Sequence, residues 1–260
     1  MLLTANLLPG FEKNWAQVLI TVMDITTLRQ VEKRLRFSQK EIGQFAYLAA
    51  HDMRAPLRGI HQYSSMLAQG NGAEADEERA RQAEKLQEQV GRLEQLLDGL
   101  QQFSRIEQNN DEEEPVALGP LLNELIEAES LRERAAINIQ SPLPVLHGKR
   151  QLLQRLFAQL LDNAVKFQHE TRPLAIDIAA ERQNRFWTIT IADNGIGLDP
   201  QQEERVFQMF QRLHNEEDVP GIGMGLALVR LITEKHGGTV EVNGEAGAGA
   251  QFVVRLPVNE

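Results

Sequence analysis

Phe186-Trp-Thr-Ile-Thr-Ile-Ala192-Asp193-Asn-Gly195-Ile-Gly197 alternates apolar and polar side chains, then stops on a carboxylate and two glycines. A period of two in a run rich in β-branched residues is the pattern of a half-buried strand. The strand therefore ends near Asp193, and the glycines after it allow close backbone approach. A carboxylate in that place can accept a hydrogen bond from an exocyclic amine such as that of adenine. Taken alone, D-x-G-x-G is more often the string of an ordinary turn.

A second glycine run lies downstream. Gly221-Ile-Gly223-Met-Gly225 opens an apolar helix that reaches Lys235. Unpaired N–H groups and the helix dipole make such a start attractive to phosphate. A flexible loop with a glycine cap reads the same way. No Gly-Lys-Ser/Thr follows and no strand leads directly into the glycines, so neither a Walker A loop nor a dinucleotide fingerprint is present. Upstream, Gln159-Leu-Leu-Asp162-Asn163-Ala-Val-Lys166-Phe167 closes an amphipathic helix (Lys149–Phe167). Asn163 and Lys166 share a face of it. A carboxamide oxygen suits magnesium and an ammonium suits phosphate, although a solvated polar face has the same composition.

The elements around these motifs read as helix Leu118–Glu133, strand Ile137–Gln140, helix Lys149–Phe167, and strands Leu174–Glu181 and Phe186–Ala192. Helix Gly225–Lys235 and strands Thr239–Val242 and Gln251–Leu256 complete the set. Strands with helices on one face give an α/β sandwich. The acidic, proline-ended run Asn109–Pro115 marks the boundary before it.

The first half has a different period. Leu28, Val31, Leu35, Ser38, Ile42, Phe45 and Ala49 alternate steps of three and four, a heptad seam with Ser38 as its weak step. Ala83, Leu86, Val90, Leu93, Leu97 and Leu100 repeat it, with Leu96 and Phe103 widening the stripe. The turn signal Gln69–Gly72 lies between. Two such helices form an antiparallel hairpin, and two hairpins complete a four-helix bundle, which predicts a homodimer. His51-Asp52 falls two positions past Ala49, away from the seam, and Pro56 should kink the helix just after it. Before the seam, Trp15–Asp24 reads as one strand.

Composition removes several functions. The formal net charge is −10, which disfavours general nucleic-acid binding. There is no cysteine, hence no disulfide, thiolate catalysis or sulfur-ligated zinc. No apolar run nears the roughly 20 residues of a membrane span, and no signal-peptide pattern opens the chain. The expected location is cytoplasmic, with a membrane-anchored parent protein left open.

In order, these motifs resemble the sensor histidine kinases of two-component signalling. Phe45-Ala-Tyr-Leu-Ala-Ala-His51-Asp52-Met-Arg-Ala-Pro56 is similar to their H-box. Asn163, Asp193-x-Gly195-x-Gly197, Phe207-x-x-Phe210 and Gly223-x-Gly225 are similar to the N, G1, F and G2 boxes of the Bergerat ATP-binding domain. The resemblance implies an α+β chain, with a dimeric four-helix bundle followed by an α/β-sandwich ATPase domain. It implies a PAS-like remnant over 1–25 (equally a strand of another input module) and a coiled-coil signalling helix over 26–45. A histidine phosphotransfer domain over 46–110 and a catalytic domain over 115–260 follow. It implies ATP and Mg²⁺ as cofactors and a response regulator as partner, with no nucleic acid and no direct membrane insertion.

The roles follow the same resemblance. His51 becomes the phosphoacceptor, with Asp52 as its general base or orienter. Asn163 holds magnesium, Asp193 reads adenine, and Gly197 lines its pocket. Lys166, Phe167, Gly195, Arg212, Gly221, Gly223, Gly225 and Leu226 complete the nucleotide contacts. Residues 199–222 form a mobile lid anchored by Phe207 and Phe210. The H-box and Met209-Phe-Gln-Arg212-Leu-His214 are similar to kinase modules of phytochrome-like photoreceptors. Three departures stand out. Ala55 replaces the Thr or Asn that positions water for partner dephosphorylation, Gln159 replaces an Asn, and Gln168 replaces a small hydroxyl residue. Two other functions fit parts of the pattern: a Bergerat-type ATPase without a phosphoprotein, and a dimeric adaptor without catalysis.

Overall fold

The computed structural model describes residues 2–7, 18–23, 53–67, 75–109, 111–140, 142–211 and 222–258. It forms two units, Met1–Ala50 and His51–Glu260. In the first, β1 (Leu2–Leu7) pairs antiparallel with β2 (Val18–Met23), Leu2 opposite Met23 and Leu7 opposite Val18. The single strand expected over Trp15–Asp24 thus has a partner that the sequence reading missed. The seam from Leu28 to Ala49 and the turn at Gln69–Gly72 lie outside the described residues.

The second unit begins with α1 (residues 53–67) and α2 (Ala75–Gln108). Pro56 is buried within the described part of α1. The expected kink involves residues before 53, outside the described ones. The helices run antiparallel: Gly59 lies against Gln89, and the Lys85 ammonium sits 6.0 Å from the Tyr63 ring centre. On α2, the expected seam is only half hidden. Val90 is 37% and Leu97 42% exposed, while Leu96, Gly99, Phe103 and Ile106 are buried. The stripe buried within the single chain is therefore offset from the heptad seam.

After the boundary come β3 (Glu114–Ala117), α3 (Leu118–Ala128), α4 (Leu131–Arg134), β4 (Ala135–Ile139), β5 (Val145–Gly148) and α5 (Arg150–Lys166). Then follow β6 (Leu174–Gln183), β7 (Phe186–Asp193), α6 (Gly225–Lys235), β8 (Thr239–Glu245) and β9 (Gly249–Pro257). The main sheet has the order β4-β6-β7-β9-β8, with β4 and β6 parallel and the other pairs antiparallel. The α5 and α3 helices turn Leu153, Leu156, Phe157, Leu160, Leu121 and Leu122 into the core, all at most 2% exposed. They meet Ile176, Ile178, Ile189 and Val254, which alternate along the inner face of the sheet. Fully burying each such side chain contributes about 1.5–3 kcal/mol, which pins the register of every strand.

Two expectations needed correction. The helix expected over Leu118–Glu133 is broken: Ser130 takes a left-handed φ of 49°, and the chain restarts as the short α4. The run Asn109–Pro115 does end α2, yet its last two residues enter β3, which pairs with β5 through Glu114 opposite Gly148. Both strands escaped the sequence reading because four residues carry too little alternation to be seen.

Candidate functional site

The nucleotide motifs converge on one cavity of about 400 Å³, a size suited to a small ligand. The end of β7 brings Asp193 to its wall, α5 brings Asn163, Lys166 and Phe167, and the start of α6 brings Gly225 and Leu226. Gly197 and Gly223 also line it. Gly195 stands beside them, its N–H donating to Asp193 Oδ1 at 2.8 Å. His51, Asp52, Arg212 and Gly221 lie outside the described residues. So does the part of the expected lid beyond Gln211 and before Ile222.

Asp193 is fixed from two directions. Its Oδ1 accepts the Gly195 N–H and also the Ala250 N–H, at 3.3 Å. Burial pushes its pKa above the ordinary carboxylate value, and the two backbone donors pull it back. Apolar Leu198, Val242 and Phe252 line the same cavity. A carboxylate at the end of an apolar slot suits a flat base carrying an amine. The sequence reading did not name those three, although the alternation of β8 and β9 places Val242 and Phe252 on the inner face.

The glycines are required by geometry. Gly197 has φ +70°, and a Cβ there would stand 2.0 Å from the Glu245 carbonyl oxygen. Gly223 has φ +74°, and its carbonyl accepts the Phe210 N–H at 3.0 Å. A side chain at either position would be strained and would clash. Phe210 itself takes a φ of 59°, and Phe207 is buried with the Arg230 guanidinium 5.9 Å from its ring centre. The loop after Asp193 has a further brace with no local signal in the sequence. Arg172 Nη2 donates to the carbonyls of Gly195 (3.1 Å) and Gly247 (2.8 Å).

Asn163 is 8% exposed, and its amide nitrogen has no hydrogen-bond partner. A buried polar group without a partner is costly and calls for a ligand. Turning the amide presents either its oxygen, suited to a hard cation, or its nitrogen, suited to a phosphate oxygen. The residues present thus fit a magnesium nucleotide. Lys166 Nζ sits 2.6 Å from Asp162 Oδ2 and is already paired. Gln159 faces Gly225 at the head of α6. Among the described residues, no group of three or more His, Cys, Asp or Glu side chains could hold a metal by itself.

Comparison with known proteins covers both halves. Residues 148–260 match the family described as Histidine kinase-, DNA gyrase B-, and HSP90-like ATPase. Residues 41–109 match the His Kinase A (phospho-acceptor) domain. Cyanobacterial phytochrome A of Nostoc sp. is 35% identical over 254 residues, covering 96% of this chain and 33% of that protein. Sensor protein KdpD of Escherichia coli is 32% identical over 238 residues, covering 89% of this chain and 26% of that protein. The chain thus spans at most a third of these relatives. Among solved structures, full-length ShkA in complex with AMPPNP has a TM-score of 0.53 at 27% identity, covering 83% of this chain and 45% of that one. Histidine kinase ThkA in complex with response regulator protein TrrA shares the fold, with a TM-score of 0.61 at 16% identity over 93% of this chain and 70% of that one. Matched in both its phosphoacceptor and its ATPase modules, the chain belongs to the sensor histidine kinases.

Proposed function

We propose that the chain is the kinase core of a two-component sensor: it binds Mg-ATP at the Asp193 cavity, phosphorylates His51 and passes the phosphoryl group to an aspartate of a response regulator. The observation that carries the reading is the pairing of Asp193, at the end of an apolar slot, with the unpartnered Asn163 amide in the same cavity. Asp193 accepts from the base amine. Asn163 would hold magnesium, which when bound would offset the charge of the phosphate chain. A neutral His51 ring nitrogen forms its bond to the γ-phosphorus as the bond from that phosphorus to the ADP oxygen breaks. Asp52 orients the ring and receives its proton. In the second transfer the P–N bond breaks as a carboxylate oxygen of the regulator takes the phosphoryl group. Alignment and charge neutralisation supply most of the acceleration.

The working form in this reading is a homodimer, its bundle closed by the exposed stripe through Val90 and Leu97. Residues 1–25 are the end of a PAS-like input domain, and 26–45 are a coiled-coil signalling helix. The β1–β2 pair supports a sheet-bearing input module. The location is cytoplasmic. Among the described residues, no helix is long and apolar enough to cross a membrane.

Incubation with γ-labelled ATP tests the reading. An acid-labile, base-stable label should appear on the wild-type chain and vanish in His51→Gln. Label retained in that variant would place the acceptor elsewhere. Steady phosphate release without labelled protein would replace the kinase reading with that of an ATPase.

A further inference from the structure

One wall of the nucleotide cavity comes from outside the catalytic domain. Gln95, Asp98, Gly99 and Gln102 of α2 line it. Their spacing of three, four and seven residues places them on a single helix face. Gly99 is the seat: a Cβ built there would lie 2.7 Å from Ile222 Cδ1 and 3.1 Å from Met224 Cγ. Ile222 and Met224 flank Gly223 in the glycine run at the head of α6. The helix therefore reaches the cavity at the glycine run.

That face carries an acid. Among the described residues lining the cavity, the charged side chains are Asp98, Lys166 and Asp193. Lys166 is held by Asp162. With α2 seated, a phosphate chain would enter a cleft to which α2 adds, among the described residues, a carboxylate and no cation.

We propose that Asp98 is a charge gate on the nucleotide site: while α2 is seated it selects against the anionic phosphate chain, so that loading ATP and releasing α2 are coupled. The proposal rests on the ATP-binding reading above. Asp98 is exposed at the cleft, so it repels the phosphate chain through solvent, at short range and under screening by salt. Coupling is reciprocal, so a seated helix that weakens ATP binding is itself unseated by ATP, by the same factor.

Beyond the seat, Phe103 and Ile106 of α2 are buried, and two lysines tie down the end of the helix. Lys235 Nζ and Lys149 Nζ donate to the carbonyls of Glu107 and Asn109, at 2.7 and 2.6 Å. Against them, the Arg105 charge of α2 bears on the like charge of Arg155 in α5. The register between α1 and α2 adds a consequence. Gly59 lies against Gln89 and Tyr63 against Lys85, so Met53 comes level with Gln95. The stretch of α2 that closes the cavity thus begins level with the first described residue of α1.

The test is calorimetric titration of the full chain with Mg-ATP and Mg-ADP at low and high salt. Asp98→Asn should raise Mg-ATP affinity about five-fold, Mg-ADP affinity by less, and both gains should shrink as salt screens the charge. Gly99→Leu, which lifts α2 from its seat, should raise Mg-ATP affinity as well. In that background Asp98→Asn should add nothing, since the two act through one contact. Unchanged or weaker Mg-ATP binding by Asp98→Asn, with the wild type binding normally, overturns the gate and leaves the nucleotide reading intact. No binding of either nucleotide by any of these chains overturns both.

Discussion

The imidazole of His236 accepts the backbone N–H of Lys149 on Nε2 at 3.1 Å, and its other ring nitrogen lies 2.7 Å from the Ile232 carbonyl oxygen. The ring therefore joins the end of α6 to the start of α5 as a neutral tautomer that donates from Nδ1 and accepts at Nε2. Protonation would destroy the acceptor.

Stability should accordingly fall on mild acidification. Burial lowers the pKa of His236 below its ordinary 6.5; the Ile232 carbonyl and Glu113 raise it, while Lys149 and Lys235 add to the lowering. The unfolded chain therefore takes up the proton first. The contribution of this ring is full above the ordinary value and is lost as pH falls from there toward the lowered one. Denaturant unfolding at pH 5, 6, 7 and 8 should show this slope in the wild type and a flatter one in His236→Gln. Equal slopes would show that the ring does not report on folding.

Asp193→Asn should trade function for stability. Its pKa is raised by burial, so the ionised form is penalised in the fold, fully so above that pKa and less as pH falls through it. The variant removes the penalty, and its oxygen can still accept from Gly195 and Ala250. Its amide nitrogen would then face the adenine amine, donor against donor. ATP affinity should drop about 10- to 100-fold while the midpoint of unfolding at neutral pH rises. A 6-oxo purine nucleotide, which offers an acceptor instead, should lose less. A titration series with ATP and ITP, together with an unfolding curve at neutral pH, checks all three.

The lysine contacts to α2 should act as local clamps. Lys235→Ala and Lys149→Ala each remove one charge-assisted bond to an orphan carbonyl near the helix end, a cost of about 1 kcal/mol. Amide exchange should quicken over residues 103–108 and remain slow in β6 and β7. Uniform acceleration throughout the chain would mean that these lysines support the fold as a whole.

The exposed stripe on α2 should hold a second copy. Leu97→Glu combined with Val90→Glu places charge where an apolar partner face is expected. The chain should become monomeric in light scattering and still bind ATP at wild-type strength. Loss of ATP binding together with dimerisation would show that the stripe serves the fold of the single chain.

Local rules determined much of this protein. The alternation in Phe186–Ala192 placed β7, and the three-four spacing placed α2. Gly197 and Gly223 were legible as special because positive φ and close approach are properties of the residue type itself. Asn163 and Asp193 were found by their order along the chain. Tertiary structure alone decided the rest. The pairing of β3 with β5, the break at Ser130, the reach of Arg172 across two loops and the entry of Asp98 into the nucleotide cavity each join residues far apart in sequence. A lone exposed arginine or aspartate has no period, and a four-residue strand has almost none. Their partners are set by where the core brings distant segments together, and no local pattern records that.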